Sequence, residues 1–182
     1  MKDLIEKYNF NFKKKFGQNF LKDKNILENI ALKSDIDKDT LVIEIGVGAA
    51  ALTNVTSNYA KNVIGYEIDE TLKPIINEVL GDKDNVEIIF TDFLKRNVKE
   101  DIKKYEYKKL YVVANLPYYI TTPIIEKIIE DYNLSYSYKL FHVLKSSGIP
   151  ICLNISFDVF SINGNKDIAI FLIFSIKWYI LD

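Results

Sequence analysis

Thr40-Leu41-Val42-Ile43-Glu44-Ile45 runs directly into Gly46-Val47-Gly48-Ala49-Ala50-Ala51-Leu52-Thr53, and this passage decides the fold. A short apolar run rich in β-branched residues reads as a buried parallel strand, and here it enters a glycine turn and then a stretch of helical composition. Gly46 and Gly48 permit tight backbone angles and let a ligand approach bare peptide groups. Alone the glycines say little, because a nicotinamide dinucleotide fold wants small residues here too and many strand-to-helix turns carry glycine for steric reasons. Repetition strengthens the reading. Asn62-Val63-Ile64-Gly65-Tyr66 ends in Glu67, Val86-Glu87-Ile88-Ile89-Phe90 ends in Thr91-Asp92, and Leu110-Tyr111-Val112-Val113-Ala114 ends in Asn115. Helical stretches alternate with these runs: from Ala51, from Glu70 to Leu80, from Arg96 to Lys104, and from Thr122, with Pro123 in its first turn and Ile124, Ile125, Ile128 and Ile129 as the buried face. Asp23 is placed to cap an earlier helix in which Ile26, Leu27, Ile30 and Ala31 recur at helical spacing. Such alternation predicts an α/β, Rossmann-like fold with a mainly parallel sheet covered on both faces, its ligands just beyond the carboxyl ends of the strands.

The residues at those ends suit a nucleoside. Glu67 stands about twenty residues beyond the first glycine, where an acidic side chain can accept both hydroxyls of a ribose. Asp92 can accept from an adenine amine. Asn115-Leu116-Pro117-Tyr118 adds an amide, a rigid turn and an aromatic face. Pro117 disfavours helical angles at Leu116, so the Asn115 side-chain oxygen and the Leu116 carbonyl can together accept the two hydrogens of one exocyclic amine. Tyr118 supplies a ring to stack on the base. Each residue also has a blander reading: the turn can simply end a strand, Glu67 and Asp92 can cap the helices that follow, and the glycines can merely turn the chain. Their occurrence together, in one register, favours the pocket.

With Phe16-Gly17-Gln18-Asn19-Phe20-Leu21, these motifs resemble the ribosomal RNA adenine dimethyltransferase family over roughly Phe12 to Asp131, in the family's order. The resemblance implies a Rossmann-like S-adenosylmethionine-dependent methyltransferase that modifies adenosine N6 in rRNA. It assigns Asn19, Leu21, Gly46, Gly48, Glu67, Asp92 and Asn115 to the methyl donor, with Gly46 near its methionine part, Glu67 at the ribose and Asp92 at the adenine. Asn115, Leu116, Pro117 and Tyr118 would form the catalytic constellation around the target. Ala50 stands where many relatives have a third glycine, a small departure. The Phe16 to Leu21 segment and the Asn-Leu-Pro-Tyr form lean toward small-subunit rRNA, in an immature ribosomal particle. A large-subunit rRNA adenine methylase of the macrolide-resistance type is the nearest alternative, followed by a truncated remnant that binds donor or RNA without turnover. A nicotinamide-dependent oxidoreductase is suggested only by the glycine turn and Glu67.

Composition agrees with one ordinary domain. Among 182 residues there is a single cysteine, Cys152, and a single histidine, so no internal disulfide and no Cys/His zinc spacing is expected, which fits a reducing cytoplasm. No secretory signal or membrane span is read, and a monomer is expected. The net charge of −1 predicts no global pull on RNA, although Lys13-Lys14-Lys15, with Lys22 and Lys24, makes a basic N-terminal arm suited to phosphates. Residues 1–131 read as the catalytic core.

From Tyr132 onward the resemblance fades. Charged residues become sparse, and the family's C-terminal helical RNA-binding domain is expected to be absent. His142 falls in Lys139-Leu140-Phe141-His142-Val143-Leu144, expected as a fifth strand with the histidine packed rather than catalytic. Ile155 to Ile162 and Ile168 to Ile176 flank Asn163-Gly164-Asn165, a hairpin signal, so residues 132–182 are expected to complete the sheet with an antiparallel pair. The apolar stretch Ile168 to Leu181 is broken by Lys177 and falls short of the roughly twenty residues a membrane helix needs. The compositional break suggests a truncated or frame-altered relative.

Overall fold

The computed structural model describes residues 2–8, 10, 24–34, 36–81, 83–116, 118–132, 155–159 and 167–173. Two helices, α1 (Lys2–Lys7) and α2 (Lys24–Lys33), precede the alternation. It then runs β1 (Thr40–Ile45), α3 (Ala51–Tyr59), β2 (Asn62–Glu67), α4 (Lys73–Leu80), β3 (Val86–Phe90), α5 (Val98–Ile102), β4 (Lys109–Asn115) and α6 (Tyr118–Tyr132). Two further strands follow, β5 (Ile155–Val159) and β6 (Asp167–Ile173).

The sheet has the order β3-β2-β1-β4-β6-β5. β1 lies parallel to β2 on one side and to β4 on the other, with Ile43 opposite Ile64 and Val112. The chain thus builds outward from β1 through β2 to β3, then returns to the opposite flank to lay down β4. That reversal opens a crevice at the carboxyl ends of β1 and β4, where the two crossovers diverge. β6 is parallel to β4, and β5 is antiparallel to β6. The connecting Asn163-Gly164-Asn165 and the stretch around His142 lie outside the described residues.

Both faces of the central strands are buried, which is why their sequences read as near-continuous apolar runs rather than alternating ones. Leu41, Ile43, Ile45, Ile64, Leu110 and Val112 pack with Val98 and Ile102 of α5 and with Ile124 and Ile128 of α6. Val42, Val63, Tyr111 and Val113 face the other way, against Leu27 of α2 and Leu52 of α3.

Three helices differ from their expected bounds. Glu70–Leu72 forms a 3-10 turn capped by Asp69, whose carboxylate accepts from Thr71 N–H, so α4 starts only at Lys73. The stretch after β3 opens as a 3-10 turn, Phe93–Lys95, because the Asp92 carboxylate accepts from Leu94 N–H at 3.1 Å, and Arg96 then turns extended (φ −89°, ψ 142°), so α5 starts only at Val98. Helix α6 begins at Tyr118, four residues before the expected Thr122, which puts Pro123 inside it. The proline forfeits the bond its N–H would have made to the Tyr119 carbonyl and its ring crowds that carbonyl, a cost of about 3 kcal/mol that burial of Ile124 and Ile128 offsets.

Candidate functional site

The glycine turn carries the local strain. Gly46 (φ 78°), Gly48 (φ 59°) and Ala50 (φ 59°) all occupy the left-handed region, and Ala50 does so with a Cβ that costs roughly 1–2 kcal/mol there. The turn hangs from β2: the Gly46 and Val47 N–H groups both donate to the Tyr66 carbonyl, at 2.9 and 3.3 Å. Gly65 in β2 makes this approach possible, because a Cβ there would lie 2.5 Å from Val47 Cγ2 and 2.7 Å from Ile88 Cδ1. Sequence reading passed over Gly65; an isolated glycine inside a strand pattern was the available signal.

Glu67 closes the other side of the turn. Its Oε2 accepts from Gly48 N–H at 2.7 Å and its Oε1 from Asp69 N–H at 2.8 Å, so one buried carboxylate ties the first strand-end loop to the second. Burial pushes its pKa up, the backbone N–H groups of Asp69, Gly48 and Ile68 act against that push, and the Asp69 charge adds to it. An ionised carboxylate has about four acceptor positions, so this tie leaves capacity for a ligand's hydroxyls. Ile68, the next residue, is 49% exposed at the same edge and offers an apolar surface that the sequence reading did not single out. Thr91 N–H donates to the Glu67 carbonyl at 2.8 Å and brings the end of β3 alongside. There Asp92 caps its own 3-10 turn, as its blander reading required, and its Oδ2 stands 3.6 Å from Lys95 Nζ.

Beneath the turn, Glu44 is buried on the same face of β1 as Val42, toward α3. Burial raises its pKa to about 8, with the Glu67 charge adding to the rise, so Glu44 is predominantly protonated at neutral pH. The Thr53 hydroxyl favours the ionised form but does not meet hydrogen-bond geometry; Glu44 Oε2 and Thr53 Oγ1 are buried without a partner among the described residues.

β4 delivers the second half of the site. Asn115 is its last residue and Tyr118 the first of α6; the side chains of both, together with Pro117, Asn19 and Leu21, lie outside the described residues. Leu116 is buried, and its Cδ2 lies 3.5 Å from where a Cβ on Gly46 would sit. The backbone therefore brings Gly46, Gly48, Glu67 and Leu116 to one edge of the sheet, with Asp92 on the neighbouring strand end. Among the described residues no group of acidic, histidine or cysteine side chains is arranged to hold a metal, and no helix is long and apolar enough to cross a membrane.

A family model described as "Ribosomal RNA adenine dimethylase" matches residues 9–146, spanning every strand end named above. The chain belongs to the ribosomal RNA adenine dimethylase family. Within that family it is 50% identical over 133 residues to the ribosomal RNA small subunit methyltransferase A of Staphylococcus aureus strain RF122, a match covering 72% of this chain and 45% of that protein. This dimethylase-family chain thus spans about half the length of the curated relatives it matches. Among solved structures it is similar to the 23S rRNA methyltransferase ErmE, with TM-score 0.52, 30% identity, and coverage of 62% of this chain and 43% of that one. It is also similar to a dimethyladenosine transferase from Plasmodium falciparum, with TM-score 0.51, 28% identity, and coverage of 62% and 38%. The fold is that of a Rossmann-like methyltransferase.

Proposed function

We propose that the chain transfers methyl groups from S-adenosylmethionine to N6 of adenosines in small-subunit rRNA, during assembly of the ribosomal particle. The observation that carries this reading is the Glu67 carboxylate bound to the Gly48 N–H, with Leu116 seated over Gly46, at the switch point of the sheet of an adenine dimethylase-family chain. These residues fit the donor: bare backbone at Gly46 and Gly48 admits its methionine part, Glu67 retains acceptor capacity for the ribose, and Ile68 and Asp92 suit an adenine's face and amine. The donor supplies an electrophilic methyl group on a sulfonium.

In this reading Asn115 and the Leu116 carbonyl accept the two hydrogens of the adenine amine, favour a tetrahedral nitrogen and aim its lone pair at the methyl carbon. Held this way, the adenine nitrogen would take the methyl group from the donor's sulfonium as the S–C bond breaks, and its surplus proton would leave to water. Positioning rather than a tuned base supplies most of the rate. Tyr118 offsets the stacking that an extruded adenosine loses. We assign Asn19 and Leu21 to the donor and the basic arm to phosphate. We assign the catalytic core to residues 1–131 and completion of the sheet to 132–182, and expect a cytoplasmic monomer.

Incubation with labelled S-adenosylmethionine and immature small ribosomal subunits is the test. Label in dimethyladenosine from the wild type and none from Asn115→Ala is the expected result; label confined to large-subunit rRNA would move the assignment to that substrate. The compositional break after Tyr132 favours one second reading, a chain that binds the donor without transfer. Donor binding with no label on any rRNA selects it.

A further inference from the structure

Among the described side chains of α6 the exposed ones, Tyr119, Thr122, Glu126 and Glu130, trace one stripe at the three- and four-residue spacing of a single helix face. Its lower half is acidic and repels phosphate. Its first turn carries the only aromatic ring of that stripe, and Tyr119 is 64% exposed while Ile120, Ile124 and Ile128 on the opposite side pack into the core. An isolated exposed apolar residue is ordinary on a protein surface. What distinguishes Tyr119 is its place, adjacent in sequence to Tyr118, on the turn that leaves the carboxyl end of β4 beside the crevice. The 3-10 turn whose Phe93 packs with Ile124 and Ile128 also carries Lys95, whose side chain is 83% exposed and only loosely paired with Asp92 at 3.6 Å. A ring at the start of α6, a cation on a turn that packs against that helix, and acids farther down it match a single-stranded nucleic acid that crosses the sheet edge and leaves before the acidic half of α6.

We propose that Tyr119 is a stacking platform for the nucleobase flanking the adenosine that enters the pocket, with Lys95 meeting the adjoining phosphate. This rests on the RNA-methyltransferase reading above and adds to it a second base-binding position outside the pocket. Stacking on an aromatic side chain tolerates any base, because every base has a π face, and its loss on truncation weakens single-strand binding by on the order of ten-fold.

The probe is an RNA hairpin with an adenosine-rich loop carrying 2-aminopurine, titrated into the full chain, with S-adenosylhomocysteine binding measured by calorimetry on the same preparations. Tyr119→Ala should weaken hairpin binding about ten-fold and abolish part of the 2-aminopurine quench, Tyr119→Trp should restore both, and both variants should bind S-adenosylhomocysteine as the wild type does. Lys95→Ala should weaken hairpin binding and flatten its salt dependence. If Tyr119→Ala binds the hairpin and quenches like the wild type, the platform is overturned while the donor site stands, and the ring belongs to a protein contact. If the wild type binds neither S-adenosylhomocysteine nor the hairpin, the methyltransferase reading falls and this inference falls with it.

Discussion

The two halves of the crevice are built differently. On the β1–β2 side the polar groups are already engaged: Gly46 and Val47 N–H donate to Tyr66, and Glu67 holds Gly48 and Asp69. On the β4–α6 side the backbone sets a strand end and a helix start, Leu116 is buried against the glycine turn, and Tyr119 stands out toward solvent. A small donor has one shape, so its half can be preorganised by main-chain contacts. On the proposed reading a folded RNA would arrive from outside, and the half that meets it would keep an exposed surface. The contrast teaches that binding of donor and capture of target should respond separately to mutation.

The sharpest break should come from Asn115→Ala, which is expected to cut methyl transfer by about 10²–10³-fold, the usual loss for one preorganised polar group, while S-adenosylhomocysteine affinity falls far less. Equal losses in both would erase the division between the halves. Glu67→Gln leaves one amide N–H facing a backbone N–H, so donor affinity by calorimetry should fall roughly ten- to hundred-fold, with hairpin binding unchanged. Next in size is Glu44→Gln. Because the folded state holds the Glu44 proton up to about pH 8 and the unfolded chain releases it near its ordinary 4.5, wild-type stability should decline as pH rises through that window. Denaturant titrations should show Glu44→Gln flattening this decline, with a gain that is absent at pH 4 and grows toward pH 8. The smallest effect is expected for Ala50→Gly, where relief of left-handed strain slightly exceeds the entropy glycine adds to the unfolded chain, for a rise in Tm of about 1–3 °C.

Much of this was legible in advance. The four strand ends fell where apolar runs stop, because strands buried on both faces are nearly continuous apolar runs, interrupted in β1 by the buried Glu44, and turn polar where they reach the sheet edge. The glycine turn and Glu67 were read at adjacent strand ends, where Glu67 Oε2 accepts from Gly48 N–H, and the family match over residues 9–146 agrees with the motifs that suggested it. The start of α6 was misread because Pro123 looks like a first-turn residue, whereas Tyr118 already has helical backbone and one missing N–H in the second turn is tolerated. The helix after β3 was overextended because nothing in its composition announces that Asp92 will cap a 3-10 turn.

What the amino-acid order determined by itself is local and periodic: which segments are strands, which are helices, where glycine interrupts them, and which acidic, amide and aromatic residues sit at the ends. Tertiary structure alone decided that Ala50 is left-handed, that Gly65 is needed for Val47 to approach, that Glu67 spends two acceptor positions on backbone, and that Glu44 is neutral. Each of these depends on atoms brought together from different strands. Solvation, steric approach and the sharing of hydrogen bonds are properties of a place in space, and a place in space exists only once the chain has folded.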